Sequence, residues 1–368
     1  MSLREVHKLK KVLKIAGIIV LALLVIIAGY AVYLFGSYHR IEDNQSIEPY
    51  GGEVSTEKVP VGKQLAATSW NIGFAAYTDQ YSFFMDGGEY SRAFSKEAVL
   101  SNMDDITSEL SGFDSDFYLV QEVDTDATRS YHVDESRILT DKLAEKDSRA
   151  CTFAVNYDSP YLFYPFTQPH GKSKAGLLTF SDFRIESALR RSLPVQTDAA
   201  KLLDLDRCYV VNRIPAANGK DLVLINLHLS AYTTDPTIAE QQLEMLFDDI
   251  SSEYDKGNYV ICGGDFNKDL LGDSSAVFGI SGEDFSWAKS FPFDMIPDNF
   301  SLVAPLDVDN PVPTCRNPDA PWDPEKNFQI TIDGFIVSDN VRVLSSRVVD
   351  TQFKYSDHNP VQLSFELR

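Results

Sequence analysis

Ile15 to Phe35 carries no charged side chain, and Arg4, Lys8, Lys10, Lys11 and Lys14 precede it against one acid, Glu5. At about 1.5 Å per residue, roughly 20 apolar residues span the hydrocarbon core of a bilayer, and only a helix lets one such segment satisfy its own backbone there. A secretory apolar region is shorter, about 7–15 residues. Tyr30 and Tyr33 fall toward the far end, where amphipathic rings prefer the interface. Residues 1–14 are therefore expected to be a basic cytoplasmic N-terminus and 15–35 a single transmembrane helix. The excess of Lys and Arg before the span puts everything after it on the outer face of the cell membrane. A long cleaved signal peptide is the competing expectation, since Ala28, Gly29 and Ala31 are small.

Residues 36–63 are polar and broken by Pro49, Gly51, Gly52, Pro60 and Gly62, which suits a linker. Residues 64–368 are long enough for one large domain with an ample core. Beyond residue 40 the chain holds 27 basic and 53 acidic residues, so a broad nucleic-acid-binding surface is disfavoured. Cys151, Cys208, Cys262 and Cys315 are far apart and form no CxxC pair, which argues against a zinc site and for small buried hydrophobes.

Short strand-like runs recur at 64–70, 116–121, 151–155, 176–180, 208–214, 222–227, 259–262, 330–337, 342–349 and 361–367. Two helices stand out between them. One covers 96–111, with Val99, Met103, Ile106 and Leu110 on one stripe and Ser95 as its cap. The other covers 236–254, with Asp235 as cap, Pro236 at the first position and Leu243, Leu246, Phe247 and Ile250 inward. Two sheets packed face to face with helices outside fit this alternation better than an all-β sandwich or a barrel with eight regular helices.

Polar side chains cluster where those apolar runs end: WNIG around Asn71, VQE ending at Glu122, NLH at His228, GGDFN with Asp265 and Asn267, TIDGF at Asp333, and SDHNPV with Asp357 and His358. Each motif alone is compatible with a turn. Six in one order, each delivering Asn, Glu, His or Asp as a strand leaves the core, exceed what packing requires. In residues, order and spacing, the set from about Leu65 onward resembles the endonuclease/exonuclease/phosphatase superfamily, which includes DNase I-like nucleases, inositol polyphosphate 5-phosphatases and neutral sphingomyelinases.

The resemblance implies a four-layered α/β sandwich with two central mixed sheets, and a phosphoesterase that uses Mg²⁺, with Mn²⁺ as a substitute. It implies Glu122 as main metal ligand with Asn71 and Asp357 on the metal side. Asp265 would position or deprotonate the attacking water, and Asn267 would orient that water or the phosphate. His358 would pair with Asp333, and His228 would donate to a phosphate or leaving-group oxygen. Which group is the general base stays open. The segment Pro313 to Asp323 departs from the 5-phosphatase signature. The loops after Glu122 and before Gly176 offer Arg129, His170 and Lys174 as substrate contacts. Tyr77, Tyr81, Phe83, Phe84 and Tyr90, in a long aromatic insertion after Asn71, would either form a lip over the site or pack on the sheet edge.

Together these expectations describe a membrane-anchored, exofacial phosphoesterase acting on a phosphate ester, for which the anchor favours a lipid head group. An extracellular nuclease and a catalytically silent binding domain are the alternatives.

Overall fold

The computed structural model describes residues 3–51, 57–145, 148–196, 206–231, 235–285 and 287–368. Helix α1 (Leu3–Ser37) is continuous through the basic N-terminus and the apolar run, and buries none of its residues. It belongs to a unit of its own, Met1–Arg40, separate from the compact unit Ile41–Arg368.

Among the described residues, the second unit contains α2 (Lys96–Gly112), α3 (Glu135–Leu139), α4 (Pro236–Asp255) and α5 (Ser274–Phe278). Its strands in chain order are β1 (Gln45–Ile47), β2 (Tyr50–Gly51), β3 (Gln64–Asn71), β4 (Phe117–Asp124), β5 (Ala150–Leu162), β6 (Gly171–Ser181), β7 (Ser187–Ser192) and β8 (Cys208–Pro215). They continue with β9 (Asp221–His228), β10 (Tyr259–Asp265), β11 (Phe300–Val303), β12 (Cys315–Arg316), β13 (Gln329–Ile330), β14 (Asp333–Ser338), β15 (Val341–Val348) and β16 (Val361–Leu367). One mixed sheet runs β1-β7-β8-β9-β10-β14-β11 and the other β15-β16-β3-β4-β6-β5-β2, with β12-β13 a separate ribbon.

The layers follow from which faces are apolar. Leu65, Ala67, Phe117 and Leu119 of one sheet meet Val210, Leu224, Ile261 and Phe335 of the other in a shared central core. The outer face of the first sheet, through Trp70, Tyr118 and Val120, packs on Val99, Met103, Ile106 and Leu110 of α2. The outer face of the second, through Val223, Ile225 and Val260, packs on Leu243, Leu246 and Ile250 of α4. The result is the expected four-layered α/β sandwich. Both expected caps are present: Ser95 accepts from the Ala98 amide and Asp235 from the Thr237 amide.

Three departures from the sequence reading have local causes. Part of the expected linker is folded: β1 pairs with β7 and β2 with β5, while Arg190 donates to the Glu42 carbonyl and Arg191 to the Asp43 carboxylate. The run 330–337 is broken between Ile330 and Asp333, because the Thr331 and Ile332 amides donate to the hydroxyls of Ser274 and Thr314 rather than to a neighbouring strand. β7 and β11, absent from the reading, carry polar or short sequences that become strands through their neighbours. The four cysteines are buried with free thiols, as small core residues.

The pairing brings all six motifs to one edge. β3 and β4 run parallel, as do β9 and β10, so Asn71, Glu122, His228 and Asp265 lie at corresponding ends. β14 runs antiparallel to β10 with Asp333 opposite Asp265, and β16 antiparallel to β3 with Val361 opposite Ser69, so their beginnings meet the other strands' ends. Beneath this edge, Gln121 donates to Asn226, and Asn226 to Thr179, which ties the two sheets together through buried amides.

The second glycine of GGDFN is required by the closeness of β9. Gly264 has φ +145°, and a Cβ there would lie 2.1 Å from the Leu227 carbonyl oxygen. Backbone cannot yield as a side-chain tip would, so Gly264→Ala is expected to destabilise the unit by about 3 kcal/mol or more. Calorimetric unfolding of the full chain would show it; a melting temperature equal to the parent's would contradict the close packing of β9 on β10.

Candidate active site

Glu122 reaches the site through a defect in its strand. The β4–β6 register shifts between Val120 and Val123, and Glu122 at φ +54° takes the left-handed conformation inside that bulge. Bulges re-aim side chains, and strained backbone of this kind persists where the surroundings determine it. Glu122 is thereby turned toward a pocket that Asp265, His228, Asp357 and His358 also line. Asn267, at φ +50°, is a second residue with such backbone on the same rim.

The amide of Asn71 joins two acids. Its Nδ2 donates to Glu122 Oε1 at 3.2 Å and to Asp265 Oδ2 at 3.1 Å, while its Oδ1 accepts from the Gly73 amide. In this arrangement Asn71 aligns the carboxylates, and its oxygen, the atom a cation would take, is held by backbone. Asp357 lies against the same turn: a Cβ on Gly73 would lie 3.1 Å from its Oδ1. Burial, opposed by His358 and reinforced by the facing charge of Glu122, pushes the Asp357 carboxyl up to about 6. Two half-buried acids lining one pocket offer hard oxygens of the kind that Mg²⁺ accepts, so Glu122 and Asp357 fit a divalent cation.

Beside them runs a chain of acids and imidazoles. His358 Nδ1 lies 2.9 Å from Asp333 Oδ2, and its Nε2 lies 3.8 Å from Asp265 Oδ2. His228 Nε2 approaches the same Asp265 oxygen to 3.4 Å, and the Asn267 amide donates to Asp265 Oδ1 at 2.8 Å. Burial opposes a charge on His358, yet Asp333, Cys315 and Asp357 together hold its pKa well above the usual value, so it is an imidazolium. His228 is driven the other way, by burial and then by Arg207 and His358, and stays neutral. Burial, with Asp333 adding to it and His358 opposing, lifts Asp265 to about 7. Asp265, Asp333 and His358 each bring a ligand atom within 4.8 Å of the others. Because Asp333 already accepts from His358, we read that trio as a hydrogen-bonded relay rather than a cage.

The expected substrate contacts separate. Arg129 lines the pocket, but Nε and Nη2 clamp Asp124, its guanidinium stacks 3.9 Å from the Phe74 ring centre, and only Nη1 approaches Glu122, at 3.9 Å. His170 also lines the pocket, where burial and then Arg129 push it down to about 3, so it is a neutral wall. Lys174 is not part of the pocket lining; it is half-exposed and faces Asp158 at 4.0 Å. The β5–β6 pairing places Lys174 opposite Asp158, which sets its direction.

The aromatic insertion does both things expected of it. Tyr77, Tyr81 and Phe83 are buried in the outer core, and Tyr77 and Phe83 also form pocket wall. Arg316 fastens the insertion by donating to the carbonyls of Thr78 and Tyr81, which gives the Pro313–Asp323 segment its purpose.

Sequence reasoning missed Arg207, Lys268, Cys315 and Trp287. Arg207 directly precedes β8, which pairs antiparallel with β9 as Tyr209 with Leu227. The start of β8 therefore lies at the same edge as His228, a neighbourhood that the two predicted strands implied. Cys315 Sγ sits 3.6 Å from His358 Nε2 because an isolated bridge joins these residues.

The model of the Endonuclease/Exonuclease/phosphatase family matches residues 68–358. No curated protein sequence matches the chain. Among solved structures, ANGEL2, described as a 2′,3′-cyclic phosphatase in complex with adenosine-2′,3′-vanadate, is 16% identical, with 87% of this chain and 98% of that one covered and a TM-score of 0.55. An endonuclease/exonuclease/phosphatase from Bacteroides vulgatus is 15% identical over 83% of this chain and 100% of that one, at a TM-score of 0.52. Another from Beutenbergia cavernae DSM 12333 is 16% identical over 83% and 72%, also at 0.52. At these identities the structural likeness speaks for the fold.

Proposed function

Because the chain belongs to the endonuclease/exonuclease/phosphatase family, we propose that it is a membrane-anchored, exofacial hydrolase of phosphate esters that depends on a divalent cation, Mg²⁺ in the first place. One observation carries the proposal: Glu122, Asn71, Asp265, His228, His358 and Asp333 form an unbroken series of contacts, of which Glu122, Asp265, His228 and His358 line one pocket. The anchor and orientation rest on α1, whose length and apolar composition suit a membrane span, and on the basic residues before it.

Glu122 and Asp357 would hold the cation, with Asn71 beside them. When bound, it supplies Lewis acidity at a phosphoryl oxygen and offsets the charge that grows there. The rest falls to the protein's own groups. Asp265, aligned by Asn71 and the Asn267 amide and lifted to about 7, accepts a proton from the attacking water. His358, kept cationic beside Asp333, meets negative charge on a non-bridging oxygen. Neutral His228 presents Nε2 to Asp265 and keeps that carboxylate aimed. The buried setting strengthens each of these interactions relative to water.

The lipid part of the proposal comes from the anchor: a catalytic unit joined to a span stays near head groups. The net charge of −21 weighs against a nuclease, which neutralises many phosphates with Lys and Arg. The test is a panel of phospholipids, phosphoinositides, nucleotides and DNA offered to the detergent-solubilised full chain with Mg²⁺, Mn²⁺ or chelator. Hydrolysis of at least one class is expected, reduced at least about 100-fold by chelator. Turnover indifferent to chelator would refute metal dependence, and no turnover of any class would favour a silent binding domain. Preferential cleavage of DNA with a steep salt dependence would establish the nuclease alternative.

A further inference from the structure

Arg207 is 6% exposed and lines the pocket, yet its Nε and Nη1 have no hydrogen-bond partner, and it makes no ion pair among the described residues. That contrasts with the other buried arginines of the unit. Arg129 clamps Asp124, Arg190 donates to the Val155 and Asp206 carbonyls, and Arg316 donates to three carbonyls. A guanidinium cannot shed its charge, and leaving its donors unmet away from water is costly. A second cation stands close by. Lys268, also 6% exposed, donates from Nζ to the carbonyls of Ser230 and Asn267; of the charges around it the Asp265 carboxylate acts most strongly, followed by Lys289 and Arg207. Arg207 acts in the same way on His228. On the His228 flank of the pocket Arg207 is thus the cation of the lining, with Lys268 behind it and Asp265 the neighbouring acid, whereas Glu122 and Asp357 make the other flank acidic. This occurs in a chain of net charge −21, where stray cations have acids in plenty to pair with.

Resting on the phosphoesterase reading of the pocket, we propose that Arg207, backed by Lys268, is a subsite for a second anionic group of the substrate, a phosphate beyond the one being cleaved. His358 and a cation at Glu122 and Asp357 already serve the scissile phosphate, which leaves the unmet donors of Arg207 for a neighbouring one. A head group ending in a quaternary ammonium would meet repulsion there. The preferred substrates are bisphosphorylated, and the second phosphate comes either from an anionic lipid head group or from a soluble nucleotide.

Two matched pairs of probes separate these sources. The soluble pair is the 5′-p-nitrophenyl phosphate ester of thymidine with and without a 3′-phosphate. The lipid pair is phosphatidylinositol with and without a 4-phosphate, in vesicles. The full chain is expected to favour the phosphorylated member of one pair by about tenfold to a hundredfold in kcat/KM, and Arg207→Gln to erase that preference. Arg207→Lys, which keeps the charge, should retain part of it. Binding of thymidine 3′,5′-bisphosphate against the 5′-monophosphate in chelator gives a reading that needs no turnover, and Arg207→Met should fold at least as stably as the parent because an unpaired buried charge is removed. Equal losses on both members of each pair would assign Arg207 to the scissile phosphate and overturn the proposal. No preference in the parent, in turnover and in binding, would overturn it too. If hydrolysis is absent while the bisphosphate binds through Arg207, the phosphoesterase reading fails and the subsite stands.

Discussion

Replacing Glu122 with alanine is expected to lower metal-dependent hydrolysis by about a thousandfold or more, with the fold intact. The two halves of that expectation come from the same geometry. Glu122 and Asp357 line the same pocket, and the charge of Glu122 adds to burial in pushing the Asp357 carboxyl up. Removing one acid relieves repulsion between half-buried carboxylates, so stability has little to lose. Asn71 keeps its bond to Asp265 and Arg129 keeps its clamp on Asp124, which leaves both former partners satisfied. The cation, by contrast, would lose half of its carboxylates, and Asp357 alone is a poor substitute. Titrating Mg²⁺ and Mn²⁺ against kcat/KM, together with calorimetric unfolding, reads both halves. A variant that folds and turns over like the parent would remove Glu122 from the site. A variant that does not fold would show that the bulge in β4 depends on the carboxylate, and Glu122→Gln would then carry the test because it keeps shape and hydrogen bonding.

The catalytic edge was readable in the sequence because strand ends are where apolar runs stop: Asn71, Glu122 and His228 directly follow such stops and Asp265 stands three residues past one, whereas Asp333 fell inside a run that the structure breaks. The layer arrangement was readable for a related reason. The stripes on α2 and α4 each show one face to bury, which obliges each to cover a sheet. What escaped were features created by pairing across long distances. β1 and β2 look like linker until β7 and β5 offer them a partner, and Glu122 looks like an ordinary strand residue until the register shift beside β6 appears. Arg207 escaped because a basic residue before a strand is commonplace, and only burial without a partner sets it apart. Lys174 misled for the converse reason: a lysine near a promising loop points wherever its strand directs it, here toward Asp158.

The second large effect is expected at the His358–Asp333 pair, and it should be non-additive. His358→Ala removes the cation that meets negative charge on the phosphate and is expected to cost about 10³-fold in kcat/KM. Asp333→Asn leaves the imidazole in place but withdraws the largest of the charges that together outweigh burial, so His358 should become neutral and its ring lose the fixed orientation. The expected loss is of similar order, about 10²–10³-fold, since a neutral imidazole in the wrong tautomer does little of what the imidazolium does. If Asp333 acts only through His358, the double variant should be no slower than His358→Ala alone. Independent roles would instead multiply the two losses. Asp333 Oδ1 has no hydrogen-bond partner, so the asparagine variant also deletes a poorly satisfied buried charge, and its melting temperature should change little. Measuring kcat/KM for parent, both single variants and the double variant at saturating Mg²⁺ closes the cycle. Multiplicative losses would mean that Asp333 reaches the reaction by a route other than His358, most directly through its neighbour Asp265, which it opposes across the β10–β14 pairing.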